Sequence, residues 1–121
     1  MAEKILVIDD DELMLEVLEV FLTQEDFHIQ TVAKAQLVEL AIANFKPDLI
    51  VMDIRLDTAD GRTICDELKS NSGTSHIPVI LLTGLGYDEI AWIDCQADAI
   101  IGKPFDNGSL LHTINQFLKT V

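Results

Sequence analysis

The feature that most constrains this chain is the alternation of short, nearly unbroken apolar runs with longer amphipathic stretches. The runs cover residues 5–8, 28–32, 49–52, 79–82 and 99–101. They are rich in Val and Ile, and the first, third and fourth carry hydrophobic residues at almost every position. Strands buried on both faces of a sheet read this way. Between them lie helical periods. Met14, Val17, Leu18, Phe21 and Leu22 recur at three- and four-residue steps, with Glu12, Glu16 and Glu19 opposite. Val38, Ala41, Ile42 and Phe45 repeat the pattern, and Pro47 stops it. Ile64 and Leu68 mark a third helix of ten or so residues, positions 87–96 a short fourth, and Leu110, Leu111, Ile114, Phe117 and Leu118 the last. The predicted order is βαβαβαβαβα, which calls for a parallel sheet covered by helices on both faces.

The length of 121 residues allows one domain, residues 1–121, with a core sufficient to fold unaided. The last helix runs almost to Val121, so no output domain is expected in the chain as given. Eight Lys and Arg stand against 21 Asp and Glu, a formal charge of −13. Such a balance argues against direct binding of nucleic acid or of anionic membrane surfaces. Residues 1–26 contribute −8 of it, from nine acids and Lys4, which reads first as a solvated helix face and second as a steering field. No apolar stretch is long enough to span a bilayer. Cys65 and Cys95 form no CxxC, so a reducing cytoplasm is the expected setting and both cysteines are expected as buried or half-buried small residues. His28, His76 and His112 lack metal-ligand spacing, which argues against zinc. Trp92 reads as core packing before partner binding.

The polar residues that matter fall at one edge. Asp9, Asp10 and Asp11 follow the first strand, Asp53 the third, Thr83 and Gly84 the fourth, and Lys103 and Pro104 the fifth. In open α/β sheets that edge binds ligands. Converging carboxylates raise one another's pKa unless a cation joins them, and a few hard oxygen ligands with room for water suit Mg²⁺. A lysine and a hydroxyl beside them would neutralise and hydrogen-bond a phosphate, leaving one carboxylate as nucleophile. Each piece also has a plain reading: an acidic triplet opens a helix, and a lone Asp after a strand caps or turns. Their joint placement at four strand ends favours chemistry.

Taken together, Ile5-Leu6-Val7-Ile8-Asp9-Asp10, Asp48-Leu49-Ile50-Val51-Met52-Asp53, Asp60-Gly61, Pro78-Val79-Ile80-Leu81-Leu82-Thr83-Gly84 and Lys103-Pro104-Phe105 resemble the receiver domain of two-component response regulators. The resemblance runs from Lys4 to the last helix. It implies a flavodoxin-like (βα)5 fold with sheet order 2-1-3-4-5, the order known for the chemotaxis receiver. It also implies that Asp53 accepts a phosphoryl group from the phosphohistidine of a histidine kinase or histidine phosphotransfer protein. By the same resemblance Asp10 and Asp53 bind Mg²⁺ directly, Asp9 through water, and Arg55 through its backbone carbonyl. Thr83 would hydrogen-bond a phosphoryl oxygen, Lys103 would pair with another, and a cis bond would precede Pro104. The module would be regulatory, catalysing only its own phosphorylation and dephosphorylation, with an unknown downstream effector.

Some positions depart from the family pattern. Asp57 replaces the usual Pro, leaving the loop to Asp60 more acidic and less rigid. Ile100 stands where an aromatic switch residue is usual, the stretch from Thr83 to Lys103 is about two residues short, and Gln96-Ala97-Asp98 replaces an Ala-Gly-Ala segment. These bear on the output face and leave the phosphorylation site intact. The alternative reading is a pseudo-receiver that binds partners without phosphorylation. A DxD-type phosphatase would need a second acid where Arg55 stands, and the acid-rich first turn would repel the phosphate of FMN.

Overall fold

The computed structural model describes residues 2–84 and 95–118. Strands β1 (Lys4–Ile8), β2 (His28–Val32), β3 (Leu49–Asp53), β4 (Val79–Thr83) and β5 (Ala99–Gly102) form one parallel sheet in the order β2-β1-β3-β4-β5. Helices α1 (Glu12–Gln24), α2 (Val38–Phe45), α3 (Gly61–Ser70) and α4 (Asn107–Leu118) cover it, with a 3₁₀ turn at Ala35–Leu37. The fold class and strand order are those expected. The expected helix over 87–96 and Trp92 lie outside the described residues, apart from Cys95 and Gln96.

Why the central runs show no alternation is plain from where their side chains go. Leu6, Ile8, Ile50, Met52, Val79 and Leu81 face α2 and α3 in one buried cluster. Ile5, Val7, Leu49, Val51, Ile80 and Leu82 face α1 and α4 in the other. Both faces are dry, so both sets must be apolar. At ~1.5–3 kcal/mol per buried aliphatic side chain, these twelve residues supply much of the drive to fold. The edge strand β2 is only half-buried, which explains its mixed sequence.

The helices mostly bury the faces their periods indicate. Val38, Ala41, Ile42 and Phe45 are all buried. Lys46 then adopts a left-handed conformation (φ 55°) ahead of Pro47, ending α2. α1 differs from expectation. Its buried stripe is Leu15, Leu18 and Leu22, while Val17 is 50% exposed and lies with Leu13 and Val20 on the outer surface. The helix carries apolar residues around most of its girth, and only contact with β1 and β2 selects one stripe.

β5 is tied at its start. Asp98 donates its backbone N–H to Val79 O (2.9 Å) and accepts from Val79 N on Oδ2 (2.8 Å), and the same oxygen pairs with Lys69 Nζ of α3 at 2.7 Å. At the other end Lys103 N donates to Thr83 O.

Candidate functional site

The acidic triplet divides into three local roles. Asp9 is buried, and its Oδ1 accepts the Asp11 N–H at 2.9 Å. Asp11 is the N-cap of α1, accepting from Leu13 N at 3.1 Å and reaching Met14 N. Both readings of the triplet therefore hold, for different residues: Asp11 serves the helix, and Asp9 and the exposed Asp10 face the sheet edge. Asp53 and Thr83 are the last residues of β3 and β4, one position earlier than a place beyond the strand ends. Their backbones stay in the ladder, Asp53 beside Leu82 and Thr83 beside Gly102, so both side chains are presented from a rigid frame. Only 7% of Asp53 and 2% of Thr83 is exposed.

These elements bring Asp9, Asp10 and Asp53 together, with one carboxylate oxygen from each lying within 4.8 Å of the others. Lys103 enters from β5 through a cis Lys103–Pro104 bond, the isomer the resemblance implies. Its ammonium stands 3.3 Å from Asp9 Oδ2 and 3.3 Å from Asp53 Oδ1. Burial pushes Asp9 above the usual carboxylate range, against the Asp11 amide and Lys103, and the charge of Asp53 adds to the rise. Burial likewise raises Asp53, opposed by Lys103 and reinforced by Asp10. For Lys103, burial works against the charge, but Asp9 and Asp53 more than offset it and hold the ammonium above the ordinary lysine range. Two of the three acids share one lysine. Three hard oxygen donors in reach of one another, with one of the residues open to solvent, fit a small divalent cation such as Mg²⁺.

The loop after Asp53 lacks the family's proline at position 57, yet its backbone is closed. Leu56 and Ala59 exchange hydrogen bonds at 3.1 and 3.4 Å, Arg55 bridges Asp60, and Gly61 N donates to Ile54 O at 2.6 Å. Asp60 caps α3 by accepting from Arg62 N at 2.8 Å, and the Arg62 guanidinium grips the same carboxylate through Nε and Nη2. That grip holds Asp60 below the usual carboxylate range. The exposed Arg55 lines a cleft of about 340 Å³ together with Asp53, Asp60, Arg62, Thr83 and Gly84.

Two contributors were not read from the sequence as site residues. Gly61 must be glycine because of a close approach beneath Asp53, and the Asp60-Gly61 dipeptide was its only signal. Arg62 carried none. Cys65 is buried and Cys95 half-buried, as expected. Ile100 is half-buried against the α2–α3 cluster. Among the described residues, no helix is long and apolar enough to cross a membrane.

A parallel sheet of this order, with acids at the ends of β1 and β3, a hydroxyl at β4 and a lysine after β5, is the arrangement of a receiver-type signalling module. The response regulator receiver domain family matches residues 5–115, and the chain belongs to that family. It is 32% identical over 118 residues to the DNA-binding dual master transcriptional regulator RpaA of Synechocystis sp., covering 96% of this chain and 49% of that protein. It is also 32% identical over 121 residues to the response regulator PleD of Caulobacter vibrioides, covering 98% of this chain and 27% of the relative. The chain thus spans between about a quarter and a half of these relatives. Among solved structures, the signal receiver domain of a signal transduction histidine kinase from Syntrophus aciditrophicus superposes with a TM-score of 0.88 at 29% identity, covering 97% of this chain and 90% of that one. The BeF3-activated N-terminal receiver domain of Klebsiella pneumoniae RstA gives 0.87 at 28% identity, covering 98% and 100%.

Proposed function

We propose that residues 1–121 act as a receiver domain that is phosphorylated on Asp53 by a histidine kinase or histidine phosphotransfer protein and thereby changes its binding to a downstream effector. The observation that carries this reading is the placement of Lys103 Nζ 3.3 Å from Asp53 Oδ1, beside the Asp9–Asp10 pair. A carboxylate of Asp53 attacks phosphorus, the P–N bond of phosphohistidine breaks, and the imidazole leaves with the electron pair. Lys103 pairs with a phosphoryl oxygen and offsets its charge, and the Thr83 hydroxyl donates to another. Asp10, Asp53 and the Arg55 carbonyl would hold Mg²⁺, with Asp9 acting through water. The ion would neutralise the charge that builds on the transferred group. Because Asp9, Asp53 and Thr83 sit in or against strands, they need little reorganisation as the reaction proceeds.

The test is intact mass spectrometry after incubation with Mg²⁺ and acetyl phosphate. The protein gains one phosphoryl group, and Asp53→Asn abolishes the gain. Stoichiometric labelling of the Asn variant overturns the assignment. An unlabelled wild-type protein favours the phosphorylation-independent binding module.

A further inference from the structure

Helices α2 and α3 cover the same face of the sheet and leave a trough between them. A cleft of about 640 Å³ near their C-terminal ends is lined by Glu39, Ile42, Lys46, Asp48, Glu67 and Ile77 among others. A smaller one of about 170 Å³ continues it toward the start of α2, and Glu39, Glu67 and Leu68 line both. The larger cleft opens where β3 and β4 begin, at the end of the sheet opposite Asp53. Its floor is the apolar set Ile42, Leu68 and Ile77. Its charge is negative: three acids (Glu39, Asp48, Glu67) against Lys46 leave a formal −2 with His76 neutral. Glu39 and Glu67 come from opposite helices at the place the two clefts share. Both are exposed, and among the described residues neither forms an ion pair. Like charges set around an apolar floor favour a cation supplied from outside.

We propose that the α2–α3 trough is a docking surface for a basic amphipathic segment of a partner protein. A Lys or Arg of that segment enters between Glu39 and Glu67, and its aliphatic residues rest on Ile42, Leu68 and Ile77. Lys and Arg suit the place because each carries its charge on an alkyl stem that lies along apolar surface. A second copy of this chain does not. At −13 it repels itself, and four of its eight bases are already engaged: Lys4 on Phe45 O, Arg62 on Asp60, Lys69 on Asp98, and Lys103 on Asp9 and Asp53. Nucleic acid and anionic lipid are repelled in the same way. The surface stands apart from the Asp53 reading, since none of its residues takes part in that chemistry.

The experiment titrates the whole chain with an amphipathic helical peptide of Leu and Lys, and with a control peptide in which Ser replaces every Leu. The Leu/Lys peptide binds several-fold tighter than the control, and its amide NMR shifts cluster on Glu39, Ala43, Glu67 and Asn71. Glu39→Gln combined with Glu67→Gln weakens it about three- to tenfold, as expected for two partly exposed ion pairs. Ala43→Arg, at an exposed wall position, narrows the trough, adds a like charge and also weakens binding. Glu16→Gln combined with Glu19→Gln removes the same charge from the exposed side of α1 and changes affinity less than about twofold. Equal affinity for the two peptides, or equal losses for the α1 and trough variants, reduces the effect to the acidity of the chain and overturns the proposal. Shifts confined to α1, or no binding of the Leu/Lys peptide, overturn it as well.

Discussion

Gly61, the first residue of α3, lies so close to Asp53 that a β-carbon on it would overlap the Asp53 carbonyl oxygen and stand 3.0 Å from the Ile54 Cα. Its N–H meanwhile donates to Ile54 O at 2.6 Å. The helix start is thus pressed against the end of β3, at the Asp53 backbone. Backbone on both sides of the contact leaves nothing flexible to yield.

Gly61→Ala should therefore destabilise the domain by about 1–3 kcal/mol, the usual cost of forcing an extra carbon into a packed position. It should also slow phosphorylation of Asp53, because relief requires moving either α3 or the β3 end. Urea denaturation measures the first and acetyl phosphate labelling the second. A control at Gly84, where a β-carbon meets nothing within 4 Å among the described residues, should cost much less.

Removing a carboxylate from the cluster should stabilise the metal-free fold and abolish its response to Mg²⁺. At about 10 mM Mg²⁺ and a dissociation constant on the order of 1 mM, mass action adds about 1.4 kcal/mol to the wild type. Asp10→Asn should raise the melting temperature without Mg²⁺ and show no further shift with it. Calorimetry in chelator and in Mg²⁺ gives both numbers, and a full Mg²⁺ shift in the variant would remove Asp10 from the ligand set.

Burial, assisted by the nearby Cys95, pushes the Cys65 thiol from 9.0 up to about 12. Its folded state keeps the proton longer than the unfolded chain does. The stability this confers is fully present below pH 9 and is lost between pH 9.0 and about 12 as the unfolded thiol ionises first. In native protein, iodoacetamide should modify Cys95 and spare Cys65 until denaturant is added, as peptide mass mapping would show. Cys65→Ala should flatten the alkaline loss of stability.

Ile100 pairs in register with Leu81 and packs against the α2–α3 cluster. It is β-branched and stiff at χ1. Phosphorylation should leave its rotamer unchanged while the backbone after Thr83 shifts. Methyl NMR with and without beryllofluoride distinguishes this from a switch residue that swings inward, which would show a large χ1 change at Ile100.

The strands were legible because a two-sided sheet forces short unbroken apolar runs, while their order was implied by the resemblance to receiver domains. The meeting of Asp9, Asp10, Asp53, Thr83 and Lys103 at one edge was legible because the chain places them at the ends of β1, β3, β4 and β5. The buried stripe of α1 was not. Val17 and Leu18 are both apolar, and helical period alone ranks them equally until a sheet lies beneath one of them. Arg62 was invisible for a related reason: its place depends on Asp60, two residues away in sequence, and on a cleft that exists only once β4 stands beside β3. Contacts that join distant segments leave no periodic trace.

β5 pairs with β4 along its whole length and is anchored just beyond both ends, where Asp98 exchanges hydrogen bonds with Val79 and pairs with Lys69 of α3, and Lys103 N donates to Thr83 O. Mechanically it is a beam bonded along one side and clamped at both ends. Such a beam does not slide along its axis when loaded at one end; it bows or tilts about the far support. Under the proposed phosphorylation, charge added at Asp53 would pull on Lys103, 3.3 Å away, and the signal would leave this domain as a change in the slope of the strand. Any effector gripping its outer surface would read an angle.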